Sequence, residues 1–296
     1  TGRARIVAVA EPDEARRIDI GYRGRQLDYS MGRGAQEKSE IGRIFLERSR
    51  GLDLALDIGM EESERIYGEG WYAFLADCRG ILGVEAGVSI FDLEDRVRIG
   101  CERLLSENPG LSFDDVSRRL LSVWEGNIYY RTISPRHFEA ASLGVCQILF
   151  EGKYSGILQP MEHYIPLKKD FSNFCDVIRL FRDKDVRRRL TGNAHRDLIA
   201  SGAYSYKHFV EEFDRHLLDE GICPQTGPKE TQRVTEAFAK GRIRFALRAF
   251  LKALRYYPYP GKDFITKPIK PFVKKYRDLR LNGRRGLFNR HAGGER

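Results

Sequence analysis

The sequence has no run of eighteen or more apolar residues, so no segment reads as a membrane-spanning helix. Its first residues have neither the positive start nor the apolar core of a secretory signal, and the chain is expected in the cytoplasm. Cysteine is sparse: Cys78, Cys101, Cys146, Cys175 and Cys223 stand far apart, are odd in number and form no C-x-x-C pair. That pattern argues against a disulfide framework or a structural zinc site and leaves buried or incidental thiols. The motifs G-x-G-x-x-G, G-x-x-x-x-G-K-[ST] and H-E-x-x-H are absent, which sets aside dehydrogenase, P-loop and zinc-peptidase readings. There is no internal repeat and no low-complexity tract.

What is present begins with charge. The 296 residues are enough for one large or two modest domains with a substantial core, and their net charge is +9. Residues 221–296 hold nineteen Lys and Arg against five Asp and Glu, a balance of +14, so residues 1–220 carry −5. A cationic segment on a mildly acidic body points to a local anionic partner, such as a membrane surface. Over 229–257, Ile243, Leu247, Phe250, Leu251 and Leu254 form an apolar stripe, with Arg242, Arg244, Arg248, Lys252 and Arg255 largely off it. This predicts a basic amphipathic helix, ended by Pro258 and Pro260. Because the chain opens on Thr1, residues 1–17 are expected to be a linker or the end of an upstream domain.

The pattern from residue 18 onward predicts an α/β fold. A strand at 18–22 closes on Arg23, Gly24 and Arg25, and a helix over 34–49 follows, with Ile41, Ile44 and Phe45 in register. A strand at 52–58, a helix over 64–79 and a strand at 81–84 continue the alternation, with Glu85, Ala86, Gly87 and Ser89 at the last carboxyl end. Such alternation implies a parallel sheet wound with helices. Residues 91–125 interrupt it as a helical insertion, whose second helix is capped by Ser112 with Asp114 and Asp115 in its first turn. A strand or extended segment at 127–133 leads to Ser134 as N-cap and Pro135 in the first turn of a short helix that ends at Gly144. A buried strand at 145–150, a polar loop at 151–156 and a short strand at 163–167 follow, then helices over 175–182, 185–201 and 206–218. Ligands of open α/β sheets collect beyond the carboxyl ends of strands, which makes residues 134–173 the expected binding region.

The order R-x-x-E-A-x-x-x-G from Arg136, an apolar strand, a polar loop, H-Y-I-P-L and K-D-F-S-N resembles the donor-binding half of GT-B glycosyltransferases. It is most similar to group 1-like bacterial enzymes of cell-surface polysaccharide assembly. The resemblance covers about residues 18–218 and is strongest over 134–210. It implies a Rossmann-like parallel sheet flanked by helices, as a domain over 18–220, with 221–296 as a basic helical extension. It further implies a peripheral, metal-independent enzyme at the inner face of the plasma membrane. That enzyme would move sugar from a nucleotide-diphosphate sugar to a glycan or lipid-linked acceptor, with no cofactor beyond this substrate. Glu139 corresponds to the carboxylate that binds the nucleotide ribose, and the start of its helix approaches the diphosphate. One departure concerns the pair of glutamates, seven residues between them, that many retaining members carry. The position eight before Glu139 is Arg131. The first glutamate is therefore absent or supplied from elsewhere, with Glu85 as a candidate, and the stereochemical outcome is not inherited.

A leaving diphosphate calls for fixed positive charge and backbone N–H donors, often at a helix N-terminus. Arg23, Arg25, Arg136 and Lys153 are the candidates, expected to converge on one sheet edge; the alternative for each is ordinary solvent-facing charge. Glu139 sits among apolar neighbours and needs a partner, either ribose hydroxyls or a nearby arginine. His137 is a candidate donor contact, whereas His163 reads as a rim or core histidine rather than a base. Tyr154, Ser155 and Gly156 form either a contact to sugar or phosphate or a tight turn. Lys168, with Lys169 and Asp170, either meets donor hydroxyls or phosphate or is a solvated strand end. The catalytic base is unassigned. The rival reading is a non-catalytic Rossmann-like binding module whose basic tail contacts nucleic acid or a protein. Nucleic acid is the weaker partner, because Phe245, Phe250, Tyr256, Tyr257 and Tyr259 fit a helix stripe and a turn better than a stacking platform.

Overall fold

The computed structural model describes residues 13–222 and, beyond them, Gln232, Glu236 and Gly241 alone. The basic helix expected over 229–257 and the charged segment after it fall outside the described residues. Two compact units divide the chain, Thr1–His216 and Leu217–Arg296. The elements in chain order are β1 (Ile18–Arg23), α1 (Arg33–Arg48), β2 (Leu56–Gly59), α2 (Glu69–Asp77), β3 (Cys78–Gly83) and β4 (Ala86–Val88). Then come α3 (Arg96–Glu107), α4 (Phe113–Val116, continued by a π turn to Leu121), β5 (Tyr130–Thr132), α5 (Pro135–Ser142) and β6 (Cys146–Phe150). The series closes with β7 (Ile165–Leu167), α6 (Phe174–Arg182), α7 (Lys184–His195) and α8 (Tyr206–Asp219). No helix of the described residues is long and apolar enough to cross a membrane.

Five strands form a parallel sheet in the order β2-β1-β3-β6-β7, flanked by helices, which is the Rossmann-like α/β architecture that the alternation predicts. The chain runs outward from β1 to β2, returns across β1 to β3, and continues to β6 and β7. The strand order therefore reverses between β1 and β3, the point where such sheets open a crevice at their carboxyl edge.

Two apolar layers flank the sheet. Ile41 and Phe45 of α1, Phe174, Val177, Ile178 and Phe181 of α6, and Leu190 of α7 join Ile20, Cys146, Ile148 and Phe150 in one cluster. The α6 residues fall at the i, i+3, i+4, i+7 spacing that puts one stripe on the sheet. Trp71, Phe74 and Leu75 of α2 and Ala140 and Leu143 of α5 cover Cys78 and Ile81 in another. Residues of the helical interruption form their own small core from Ile90, Val97, Cys101, Phe113, Val116 and Leu121. The Ser112 capping box opens α4 as expected.

Three element boundaries differ from the sequence pattern for local reasons. The strand expected at 52–58 pairs with β1 from Leu56 to Gly59. The helix expected over 64–79 begins at Glu69, because the Glu64 carboxylate already accepts the Met60 and Glu61 N–H groups and Gly68 turns the chain at φ +61°. That helix ends at Asp77, since Cys78 and Arg79 are the first residues of β3. Residues 130–132 join an antiparallel ribbon with β4 rather than the main sheet, in the register Ala86↔Thr132 to Val88↔Tyr130. Gly87 holds this ribbon at φ +121°, where any side chain would collide with the Tyr130 carbonyl.

A buried charge network fixes the ribbon to the sheet edge. Arg131 pairs with Glu37 of α1 and lies 3.6 Å from Glu85, and the other Glu37 oxygen accepts from Lys169 at 2.7 Å. Glu85 also accepts the Tyr154 N–H at 2.8 Å. Arg131, Glu37 and Glu85 side chains are each less than a tenth exposed. Removing one partner of such a network leaves an uncompensated buried charge. Arg131→Met is therefore expected to lower unfolding free energy by about 3–5 kcal/mol in urea denaturation. Removal of Arg17 from its exposed pair with Asp77 should leave the urea midpoint nearly unchanged.

Candidate functional site

A cleft of about 580 Å³ opens at the reversal of strand order. Tyr22, Arg23, Gly24 and Arg25 reach it from the end of β1, and Ile81, Leu82, Gly83 and Val84 from the end of β3. Lys38 enters from α1, Trp71 and Tyr72 from α2, Arg136, His137 and Glu139 from α5, and Gln147 and Leu149 from β6. Its size suits a small-molecule ligand.

The lining is cationic. Arg23, Arg25, Lys38, Arg65 and Arg136 border it, against Glu139 as its single carboxylate among the described residues. These cations are not equivalent. Arg23 is held by Asp57 at 2.8 Å, donates to the Tyr22 and Asp57 carbonyls at 2.9 Å and stacks on Phe74, so its charge is compensated. Arg65 pairs with Glu62 at 2.7 Å. Arg25, Lys38 and Arg136 have no carboxylate at ion-pair distance among the described residues. Arg136 donates instead to the Arg23 carbonyl at 2.5 Å and lies over the Trp71 ring. Burial, then the charges of Arg131, Arg25 and Arg136, hold the Lys38 ammonium below its ordinary pKa. Lys38 donates to the Gly87 carbonyl at 3.4 Å, and three cations without a carboxylate partner give the crevice a positive potential.

Glu139 is half-buried and faces α2, where its Oε2 accepts the Trp71 indole N–H at 2.8 Å and its Oε1 lies 3.5 Å from the Tyr72 hydroxyl. Neither partner is an arginine, and the carboxylate retains lone pairs for further donors. His137 is the N3 residue of the capping box at the start of α5. Its Nδ1 accepts the Ser134 N–H at 3.1 Å, and its ring packs edge-on to Tyr154. Burial, with a smaller contribution from Arg136, pushes the His137 imidazole down to about 4, opposed by its bond to Ser134. The ring is neutral at pH 7.

The structure thus brings Arg23, Arg25, Arg136, His137 and Glu139 to one cleft and places the other expected site residues elsewhere. Glu85 is buried between Arg131 and the Tyr154 N–H and does not line the cleft. Tyr154 is fully buried and donates its hydroxyl to the Phe150 carbonyl at 2.6 Å. Ser155 meets Thr132 at 3.0 Å, tying this loop to β5, and Gly156 completes the turn at φ +74°. Lys153 covers the Tyr129 ring outside the cleft. Lys168 is exposed beyond β7, where its N–H donates to Asn173, and Asp170 caps the Ser172 N–H. Lys38, Trp71, Tyr72 and Gln147 were not among the expected site residues. The indole N–H of Trp71 offered a signal, since a buried indole requires an acceptor.

Glu162, His163 and Asp197 bring donor atoms within 4.8 Å of one another. Both ring nitrogens of His163 are already engaged, Nδ1 accepting the Gln159 N–H and Nε2 facing Asp197 at 3.1 Å. Arg196 binds both oxygens of that aspartate at 2.7 Å. The donor set is consumed within the protein and does not suit a metal.

No protein-family profile matches the sequence, and no curated protein matches it. Among solved structures the chain is similar to the C-terminal domain of a Glycosyl Transferase Group 1 Family Protein (LpcC) from Francisella tularensis, at 12% identity. The match covers 66% of this chain and 96% of that one, with a TM-score of 0.36.

The His137 imidazole has a stated pH consequence. Its folded pKa lies below the unfolded value near 6.5, so the folded state loses stability as pH falls from about 6.5 to about 4. The drop attributable to this residue is about 3 kcal/mol. Subtracting the pH profile of a His137→Gln variant from that of the wild type in chemical denaturation should isolate it. Parallel profiles would show that the ring is not held neutral.

Proposed function

We propose that the cleft binds a nucleotide-diphosphate sugar and that this chain is the donor-binding part of a glycosyltransferase. The observation that carries this reading is the convergence of Arg25, Lys38 and Arg136, all without a carboxylate partner, on the strand-order reversal beside Glu139. A diphosphate supplies the missing negative charge, and a ribose supplies two hydroxyl donors suited to the Glu139 carboxylate. In the transfer step the bond from the anomeric carbon to the diphosphate oxygen breaks while the acceptor oxygen bonds that carbon. The diphosphate leaves with the electron pair, and the acceptor hydroxyl releases its proton to solvent. Fixed cations in a partly desolvated cleft stabilise the charge that develops on the leaving group, the role a divalent cation takes in metal-dependent transferases. The acceptor class, a glycan or lipid-linked sugar, follows the sequence resemblance.

Calorimetric titration with UDP, GDP, CMP and their common sugar conjugates tests the reading. One nucleotide should bind selectively, Glu139→Ala should weaken it about tenfold, and Arg136→Ala at least as much. Retained affinity in both variants would move the site elsewhere, and a folded protein that binds none of the panel would favour the non-catalytic binding module.

The basic segment over 229–296 is proposed to dock the protein on an anionic membrane face. Deleting these residues should abolish sedimentation with vesicles containing phosphatidylserine while leaving nucleotide affinity unchanged. Undiminished sedimentation would remove the docking role.

A further inference from the structure

The floor of the cleft has a polarity that its cationic lining does not explain. His137 Nδ1 lies 3.1 Å from the Ser134 backbone N and 3.2 Å from the Ser134 carbonyl, and its Nε2, a donor in one tautomer and an acceptor in the other, has no partner among the described residues. Gln147, 1% exposed, donates through Nε2 to the His137 carbonyl at 3.2 Å, which fixes the orientation of its amide. Its Oε1 is buried and unpartnered. Both side chains line the cleft. Gly83 lies on the same floor without a positive φ, and a Cβ there would stand 3.4 Å from His137 Nε2 and 2.7 Å from Leu149. Its missing side chain keeps space open in front of the imidazole.

Folded proteins rarely leave a buried acceptor such as Gln147 Oε1 without a partner. A phosphate oxygen would repel the amide oxygen, and an apolar group would leave it unpaired. A hydroxyl donates to the amide oxygen and pairs with the imidazole nitrogen in either tautomer.

We propose that His137, Gln147 and Gly83 form a neutral subsite for the hydroxyl-bearing sugar of the ligand, distinct from the cations that take its phosphates. This rests on the nucleotide-sugar reading of the same cleft and adds which side chains contact the transferred group. Adjacent positions at the start of α5 then divide the labour, with Arg136 toward the phosphates and His137 toward the sugar.

The test compares paired probes, UDP with UDP-glucose and UDP-N-acetylglucosamine, and GDP with GDP-mannose, by calorimetry. Because His137 also caps α5, Gln147→Leu and Gly83→Ala carry the test alongside His137→Phe, each checked for cooperative unfolding. The expected result is that the sugar conjugate loses about tenfold in affinity while its parent nucleotide changes less than about twofold. Equal weakening of both would assign the floor to phosphate or base and overturn the subsite. No change in either would mean that the floor holds only a buried water, with the same consequence. Failure of every nucleotide to bind the wild type would instead overturn the nucleotide-sugar reading, and the subsite with it.

Discussion

The architecture around the cleft depends on one buried electrostatic arrangement, the Glu37–Arg131–Glu85 network with Lys169 at its edge. It joins α1, the end of β3, the β4–β5 ribbon and the loop after β7, elements brought together by no shared helix or strand. Its formal charges cancel, two carboxylates against two cations, so it contributes stiffness without neutralising the cleft. Charges this deeply buried are tolerated only with their partners in place, which couples the ribbon's position to that of α1. Lys38 projects from the next residue of α1, so the network that fixes Glu37 also sets where that ammonium stands.

The cleft inherits its place from topology and its chemistry from side chains that the fold leaves unpaired. Cations such as Arg23 are compensated within the protein, whereas Arg25, Lys38 and Arg136 repel one another across a partly desolvated space. Such an arrangement opposes folding slightly and favours an anion that relieves it. Glu139, positioned by Trp71 rather than neutralised by an arginine, adds one acceptor to an otherwise cationic wall. The floor beneath is neutral, because burial holds His137 uncharged against the opposing bond to Ser134. Rim and floor therefore offer two chemistries to a single ligand.

The fold was largely legible in the sequence because alternation, capping and apolar periodicity act over a few residues. Ser134, Pro135 and Gly144 bracketed α5, the helix expected over 175–182 is α6, and the apolar run at 145–150 read as a buried strand. The ribbon was not legible, since residues 86–88 are too short and glycine-containing to read as a strand without their partner at 130–132. Arg131, conspicuous only as a residue standing where a glutamate was expected, has a partner 94 positions away. Local pattern carries no record of such a distance.

By itself the sequence determined the alternation of strands and helices, that 145–150 is a buried strand, and that Arg25, Arg136, His137 and Glu139 stand near the carboxyl edge of a sheet. Each of these follows from spacing, capping or an element boundary. Tertiary structure alone decided which charges are free. Pairing withdrew Arg23 and Glu85 into the protein, burial closed Tyr154 away, and the approach of α1 added Lys38. The reason is physical: a charge's availability depends on what lies within a few ångströms of it, and those neighbours come from every part of the chain.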